Sequence, residues 1–195
     1  LWKVAERQPA PWGVSLKLLM LTGARRSEVF EAERAEFDLK GKIWTIPAER
    51  AKNGQAHVLR LAPAVIDLIE EIPVIDGSAK LFPAAGNPDN AASGISKAVN
   101  RIRADLAKVM GAEVPEWTLH DIRRSVATNM QRMGIRLEVT EAVLNHIAGT
   151  RAGIVGVYQR HDFAKEKQHA LTAWAAELAR IVKGNRRGNV VALHG

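Results

Sequence analysis

The only tyrosine in this chain of 195 residues, Tyr158, stands twelve positions after His146. His146 in turn follows a helix-like segment that carries His120 and Arg123 in the run Leu-His-Asp-Ile-Arg-Arg. Far upstream, Arg25 and Glu28 lie in Leu-Thr-Gly-Ala-Arg-Arg-Ser-Glu-Val. A phenol is a candidate nucleophile, and guanidinium groups present planar, permanently charged forks that match phosphate oxygens. One phenol, two separated arginines and two histidines therefore suit attack on a phosphodiester.

Each member also has a plainer explanation when taken alone. His-x-x-Arg pairs arise on solvated helix faces, and Arg25 with Glu28 is the spacing of a helical ion pair worth about 0.2–0.5 kcal/mol. A histidine ending the apolar run Ala142-Val-Leu-Asn-His-Ile is commonly a satisfied core residue, and a lone tyrosine commonly packs with its hydroxyl wet. The ordered co-occurrence of the whole set is what points to chemistry.

These residues need elements to hold them. Apolar positions from Trp12 to Leu21 predict a mostly buried helix ended by Gly23, with Arg25 beginning a new element and Ser27 to Phe30 a short helix. Phe37–Leu39 and Lys42–Ile46 alternate as strands, and Pro47 closes the second. An Asn53-Gly54 turn leads to a third strand over 56–61, which puts Lys52 at a hairpin tip or edge. Pro63 opens a helix over 64–72, and residues 73–94 read as mostly loop.

Further on, Ile95, Val99, Ile102, Leu106 and Met110 mark an amphipathic helix stopped by Gly111. Thr118 is placed to cap a helix over 119–133, terminated by Gly134, so that His120 and Arg123 share one side near its positive end. Helices over 138–144 and 164–183 follow, the latter with Asp162 as its cap, and 184–195 reads as a mobile tail. The fold class expected is α+β, predominantly helical, with a small antiparallel sheet near the N-terminal third.

The composition sets the class of partner. A 47% hydrophobic content supports a real core, and 28 basic against 21 acidic residues give a formal charge of +7, which favours a polyanion. Cysteine is absent, which removes disulfide and thiolate-zinc chemistry and fits a reducing compartment. No apolar run reaches membrane-spanning length, and the first residues lack the apolar stretch of a signal peptide. The start without methionine is read as that of a fragment.

The ordered set Arg25, Lys52, His120, Arg123, His146 and Tyr158 resembles the catalytic domain of tyrosine recombinases, above all prophage and genomic-island integrases. The resemblance runs from about Trp12 to Trp174. It is strongest in Leu21-Thr-Gly-Ala-Arg25-Arg-Ser-Glu28, Leu119-His-Asp-Ile-Arg123, Leu144-Asn-His146 and Val157-Tyr-Gln-Arg-His-Asp162. The family's first arginine follows the Thr-Gly pair by two residues, which selects Arg25 over Arg26, and Lys52 matches its β-hairpin lysine. The chain departs from the family where Asn145 replaces a frequent glycine and Arg124 a frequent histidine.

The resemblance implies a catalytic domain over 1–183, without the amino-terminal DNA-clamping domain that usually precedes it. It implies Tyr158 as nucleophile, Arg25 and Arg123 on the phosphate with His146 donating a further hydrogen bond, His120 managing the proton and Lys52 as leaving-group acid. Glu28 and Asp121 are assigned to support, and Trp174 to anchoring the terminal helix in a core or a neighbouring subunit. The product is a 3′-phosphotyrosyl link that needs no cofactor, metal or ATP. Double-stranded DNA at specific attachment sites is the expected partner, bound by a homotetramer with accessory DNA-bending proteins, the isolated fragment being monomeric. The expected location is cytoplasmic, with the nucleoid. Competing readings are a type IB topoisomerase, a non-catalytic DNA-binding regulator on the same fold, and a metal phosphohydrolase using His120 and His146.

Overall fold

The structure, a computed structural model, describes residues 1–146 and 162–184. At its centre is α2 (Trp12–Thr22), eight of whose eleven residues are buried. A helix apolar all round must be enclosed, and α2 packs against α1 (Trp2–Ala5), α3 (Arg26–Phe30), α4 (Pro63–Glu70), α6 (Leu119–Arg132) and α8 (Ala164–Val182). Among the described residues the other helices are α5 (Ile95–Met110), α7 (Leu137–Val143) and a 3-10 turn over Arg34–Glu36. One contiguous core runs from Val4 to Leu178. The α1 turn is not anticipated by the sequence reading, being too short to show periodicity.

Strands β1 (Phe37–Asp38), β2 (Ile43–Ile46) and β3 (His57–Arg60) form an antiparallel sheet in the order β1-β2-β3. Trp44 pairs with Leu59 and Ile46 with His57. These four side chains are buried, whereas Thr45 and Val58 between them are exposed, as the two-residue period of a strand requires. The helical majority and this sheet match the expected α+β class. As expected, 73–94 is mostly loop, but within it β4 (Pro83–Ala84) and β5 (Asn87–Ala91) form a second antiparallel hairpin that the sequence reading does not anticipate. Most of its residues are exposed, so it lacks the buried alternation that betrays a strand.

The amphipathic reading of α5 holds for Val99 and Ile102, but Met110 is 63% exposed at the helix end. Trp174 is buried and its indole N–H donates to the Met20 carbonyl at 2.7 Å, which pins α8 to α2 within one chain. Asp162 accepts the Ala164 N–H at 3.0 Å, at the start of α8. Among the described residues no helix is long and apolar enough to cross a membrane. The proposed tail beyond 184 lies outside the described residues.

Candidate active site

The end of α2 sets the first piece. The Thr22 hydroxyl donates to the Leu18 carbonyl at 2.7 Å and accepts the Ala24 N–H at 3.2 Å, while Gly23 turns the chain with φ +65°. Glycine is required there twice over. Its conformation is left-handed, and a Cβ would lie 2.8 Å from Leu144 Cδ2 and 3.1 Å from Val126 Cγ1. This close approach brings the Gly23 carbonyl to Arg123 Nη1 at 2.7 Å.

Arg25 follows as the residue that precedes α3. Buried Glu28 accepts both the Arg25 backbone N–H and its Nη1, each at 2.7 Å, so one carboxylate caps the helix and fixes the guanidinium. Arg25 Nη2 also donates to the Asn145 carbonyl at 3.1 Å. Arg26 is exposed and lines the same cavity without such fixing partners among the described residues.

The start of α6 supplies the second piece. Thr118 closes a capping box with Asp121, whose carboxylate accepts the Thr118 N–H at 2.9 Å and hydroxyl at 2.8 Å. The Thr118 N–H and hydroxyl, with Arg124, hold Asp121 below the usual carboxylate range. Arg124 pairs with Asp121 at 3.0 Å on the exposed face and stays out of the cavity lining. One turn on, Arg123 is 4% exposed. Its Nη2 donates to the Leu144 carbonyl, and its Nε is buried without a hydrogen-bond partner among the described residues. Burial first, then the charge of Arg25, opposed by Glu28, bring its pKa down to about 10. The guanidinium remains charged at neutral pH, and an anion beside it would relieve both its isolation and its repulsion from Arg25.

Three successive carbonyls at the C-terminal end of α7 thus each receive a side-chain donor from another element. Val143 accepts from His57 Nε2 at 2.9 Å, Leu144 from Arg123 and Asn145 from Arg25. The next residue, His146, is half-buried; burial, then Arg123 and Arg25, lower its pKa and so favour the neutral ring. Asn145 itself has φ +52°, a conformation that asparagine tolerates better than most residues. That explains how asparagine can stand at a position where the resemblance leads one to expect glycine.

Arg25, Lys52, His120, Arg123 and His146 all line one concave cavity of about 530 Å³, together with Arg26, Asn53 and Asn145. Tyr158 lies outside the described residues. Lys52 and His120 are exposed at the cavity, whereas Arg123 forms part of its buried floor. Glu28 and Asp121 do not line it and act on their neighbours, Glu28 on Arg25 and Asp121 on Thr118 and Arg124. Among the described residues no group of three or more histidine, aspartate or glutamate side chains is disposed to hold a metal ion.

Sequence reasoning missed three residues that build this site. Arg50 reaches both oxygens of Glu36, at 2.8 and 2.9 Å, and the Glu28 carbonyl at 3.0 Å, which ties the Lys52 turn to α3. No sequence signal marks it, because its carboxylate partner is fourteen residues away. Asn53 was legible only as a turn former. His57 was findable, since strand alternation places a histidine at an inward position of β3.

The fold is shared with solved structures of an integrase and of recombinases. XerA recombinase superposes with a TM-score of 0.57 at 17% identity, covering 95% of this chain and 60% of that one. An integrase from mycobacterium phage Brujita does so at 0.56 and 15% identity, covering 87% and 54%. XerH site-specific recombinase, bound to its difH substrate, gives 0.56 and 17%, covering 93% and 49%. Residues 2–165 match the phage integrase family, and the chain belongs to that family. Prophage integrase IntA of Escherichia coli (strain K12) is 27% identical over 178 residues, which cover 90% of this chain. The match takes in only 40% of that relative's length.

Proposed function

We propose that this chain is the strand-cleaving and rejoining part of a site-specific DNA recombinase, an integrase that acts through a 3′-phosphotyrosyl intermediate. The observation that carries the reading is the convergence of Arg25, Lys52, His120, Arg123 and His146, from four separate stretches of sequence, on one cavity with two anchored guanidiniums.

In this reading the scissile phosphate rests between Arg25 and Arg123, whose forks take its non-bridging oxygens, and His146 donates a further hydrogen bond. Preorganised donors of this kind are worth roughly 3–4 kcal/mol each where charge develops. The anchoring carbonyls matter because they fix the arginines before the substrate arrives. Tyr158 attacks phosphorus. With an ordinary pKa near 10, only about a thousandth of it is phenolate at pH 7, so the arginine field favours the anion and His120 takes the proton. Lys52 protonates the departing 5′ oxygen. The phosphotyrosyl bond retains the energy of the phosphodiester, and a 5′ hydroxyl of another strand reverses the step.

Double-stranded DNA at attachment sites, a tetramer of the full-length protein on two duplexes, and accessory DNA-bending proteins complete the proposal. Family membership and the basic charge of the chain support DNA as the partner. The test is incubation with a nicked suicide substrate in EDTA: a covalent protein–DNA adduct should form, and Tyr158→Phe should abolish it. Adduct that requires Mg²⁺ would contradict the mechanism. Exchange of strands between two duplexes, beyond relaxation of one, separates a recombinase from a topoisomerase, and DNA binding with no adduct would mark a regulator.

A further inference from the structure

The two parts of the cavity that the proposed reaction must bring together are joined by a side-chain pair. Asn53 Nδ2 donates to Asn145 Oδ1 at 2.8 Å, and Asn145 Nδ2 donates back to Asn53 Oδ1 at 3.3 Å, across 92 residues of sequence. Each asparagine adjoins a candidate reacting group, Asn53 next to Lys52 and Asn145 next to His146. Each is also fixed by its own backbone surroundings. Asn53 Oδ1 accepts the Gln55 N–H at 3.2 Å and so shapes the turn that presents Lys52. The Asn145 carbonyl accepts Arg25, and the preceding carbonyl accepts Arg123.

We infer that this reciprocal amide pair is a positioning clasp, which holds the Lys52 turn at a set distance from the phosphate-binding arginines. Its purpose follows from the chemistry of the leaving group and rests on the reading of Lys52 as general acid. Tyr158 oxygen forms a bond to phosphorus as the bond from phosphorus to O5′ breaks. The electron pair leaves on O5′, and a proton from Lys52 Nζ must meet it there. Lysine is a long, exposed side chain on a turn, so its ammonium is placed only as well as its backbone is placed. A displacement of about 1 Å in such a group can cost on the order of 100-fold. Neither asparagine touches the reacting atoms in this account; both are positioning residues.

Single-turnover cleavage by the full-length protein separates this role from a general structural one. Asn53→Ala removes the clasp from the turn side. Asn145→Gly removes it from the other side while keeping a left-handed backbone available. Two suicide substrates are compared, one ordinary and one with sulfur in place of the scissile 5′ oxygen, because a thiolate departs without a proton. Each variant should cleave the ordinary DNA about 10- to 100-fold more slowly and the sulfur DNA within about twofold of the parent, the allowance for simple non-interacting changes. The double variant should be no slower than the slower single one, as expected of partners in one interaction. Unchanged cleavage of the ordinary substrate, equal loss on both substrates, or additive losses would overturn the clasp. Lys52→Ala, run beside them, must itself be rescued by sulfur. If it is not, the acid assignment falls and takes the clasp's purpose with it, whereas rescue of Lys52→Ala with no defect in the asparagine variants refutes the clasp alone.

Discussion

Arg123 shows most directly how a single side chain is made ready. Its two terminal nitrogens are engaged by the Gly23 and Leu144 carbonyls, and the buried Nε has no partner among the described residues. A lysine would keep the charge and lose the fork. Arg123→Lys should therefore lower the cleavage rate about 10²- to 10³-fold while DNA affinity changes little; a rate within a few-fold of the parent would show that charge alone suffices. His57 carries a second prediction. Burial, partly offset by the Val143 carbonyl, lowers its pKa from 6.5 to about 4. Between those values the unfolded chain binds a proton that the folded chain refuses. Stability is therefore full above pH 6.5, falls as the pH drops and levels off near pH 4, the total being about 3 kcal/mol. His146, also lowered, adds in the same direction. Urea unfolding at pH 7 and pH 4 should show this acid loss reduced in His57→Gln, which retains an N–H donor. Parallel losses in parent and variant would contradict it.

Among the elements, the junction of α2, α6 and the turn after α7 governs the cavity, and Gly23 is where they meet. Gly23→Ala should cost about 1–2 kcal/mol for the left-handed backbone and about 1–3 kcal/mol for crowding Leu144 and Val126. A thermal scan should show Tm lowered by roughly 5–15 °C, and an unchanged Tm would mean that the junction relaxes freely. The helices around this junction were legible because their ends carry strong signals: Gly23, Gly111 and Gly134 all have positive φ at helix ends, and Thr118 closes a capping box. The β4–β5 hairpin was not legible, since β4 is only two residues long and β5 is mostly exposed, with no buried alternation. The same division holds in the site. Arg25, His120 and Arg123 stand out by local spacing. The partners that anchor them are carbonyls of distant turns, and the amide pair of Asn53 with Asn145 spans 92 residues, a relation no local pattern encodes.

For the molecule as a whole, the governing property is a surplus of positive charge, +7 over 195 residues, in a chain whose cavity is lined by three arginines, a lysine and two histidines. Binding to a duplex should weaken steeply as salt is raised, with log affinity linear in log salt concentration, because phosphate contacts release counterions. A flat response in fluorescence anisotropy would deny the cavity face its role as a phosphate-binding surface. The most direct test of the central claim is to identify the amino acid joined to DNA. Adduct formed on a suicide substrate in EDTA should be digested with trypsin and nuclease and its peptides read by mass spectrometry. The prediction is a 3′-phosphate linked to Tyr158. A link to any other residue, or to the 5′ end of the cut strand, would contradict the account.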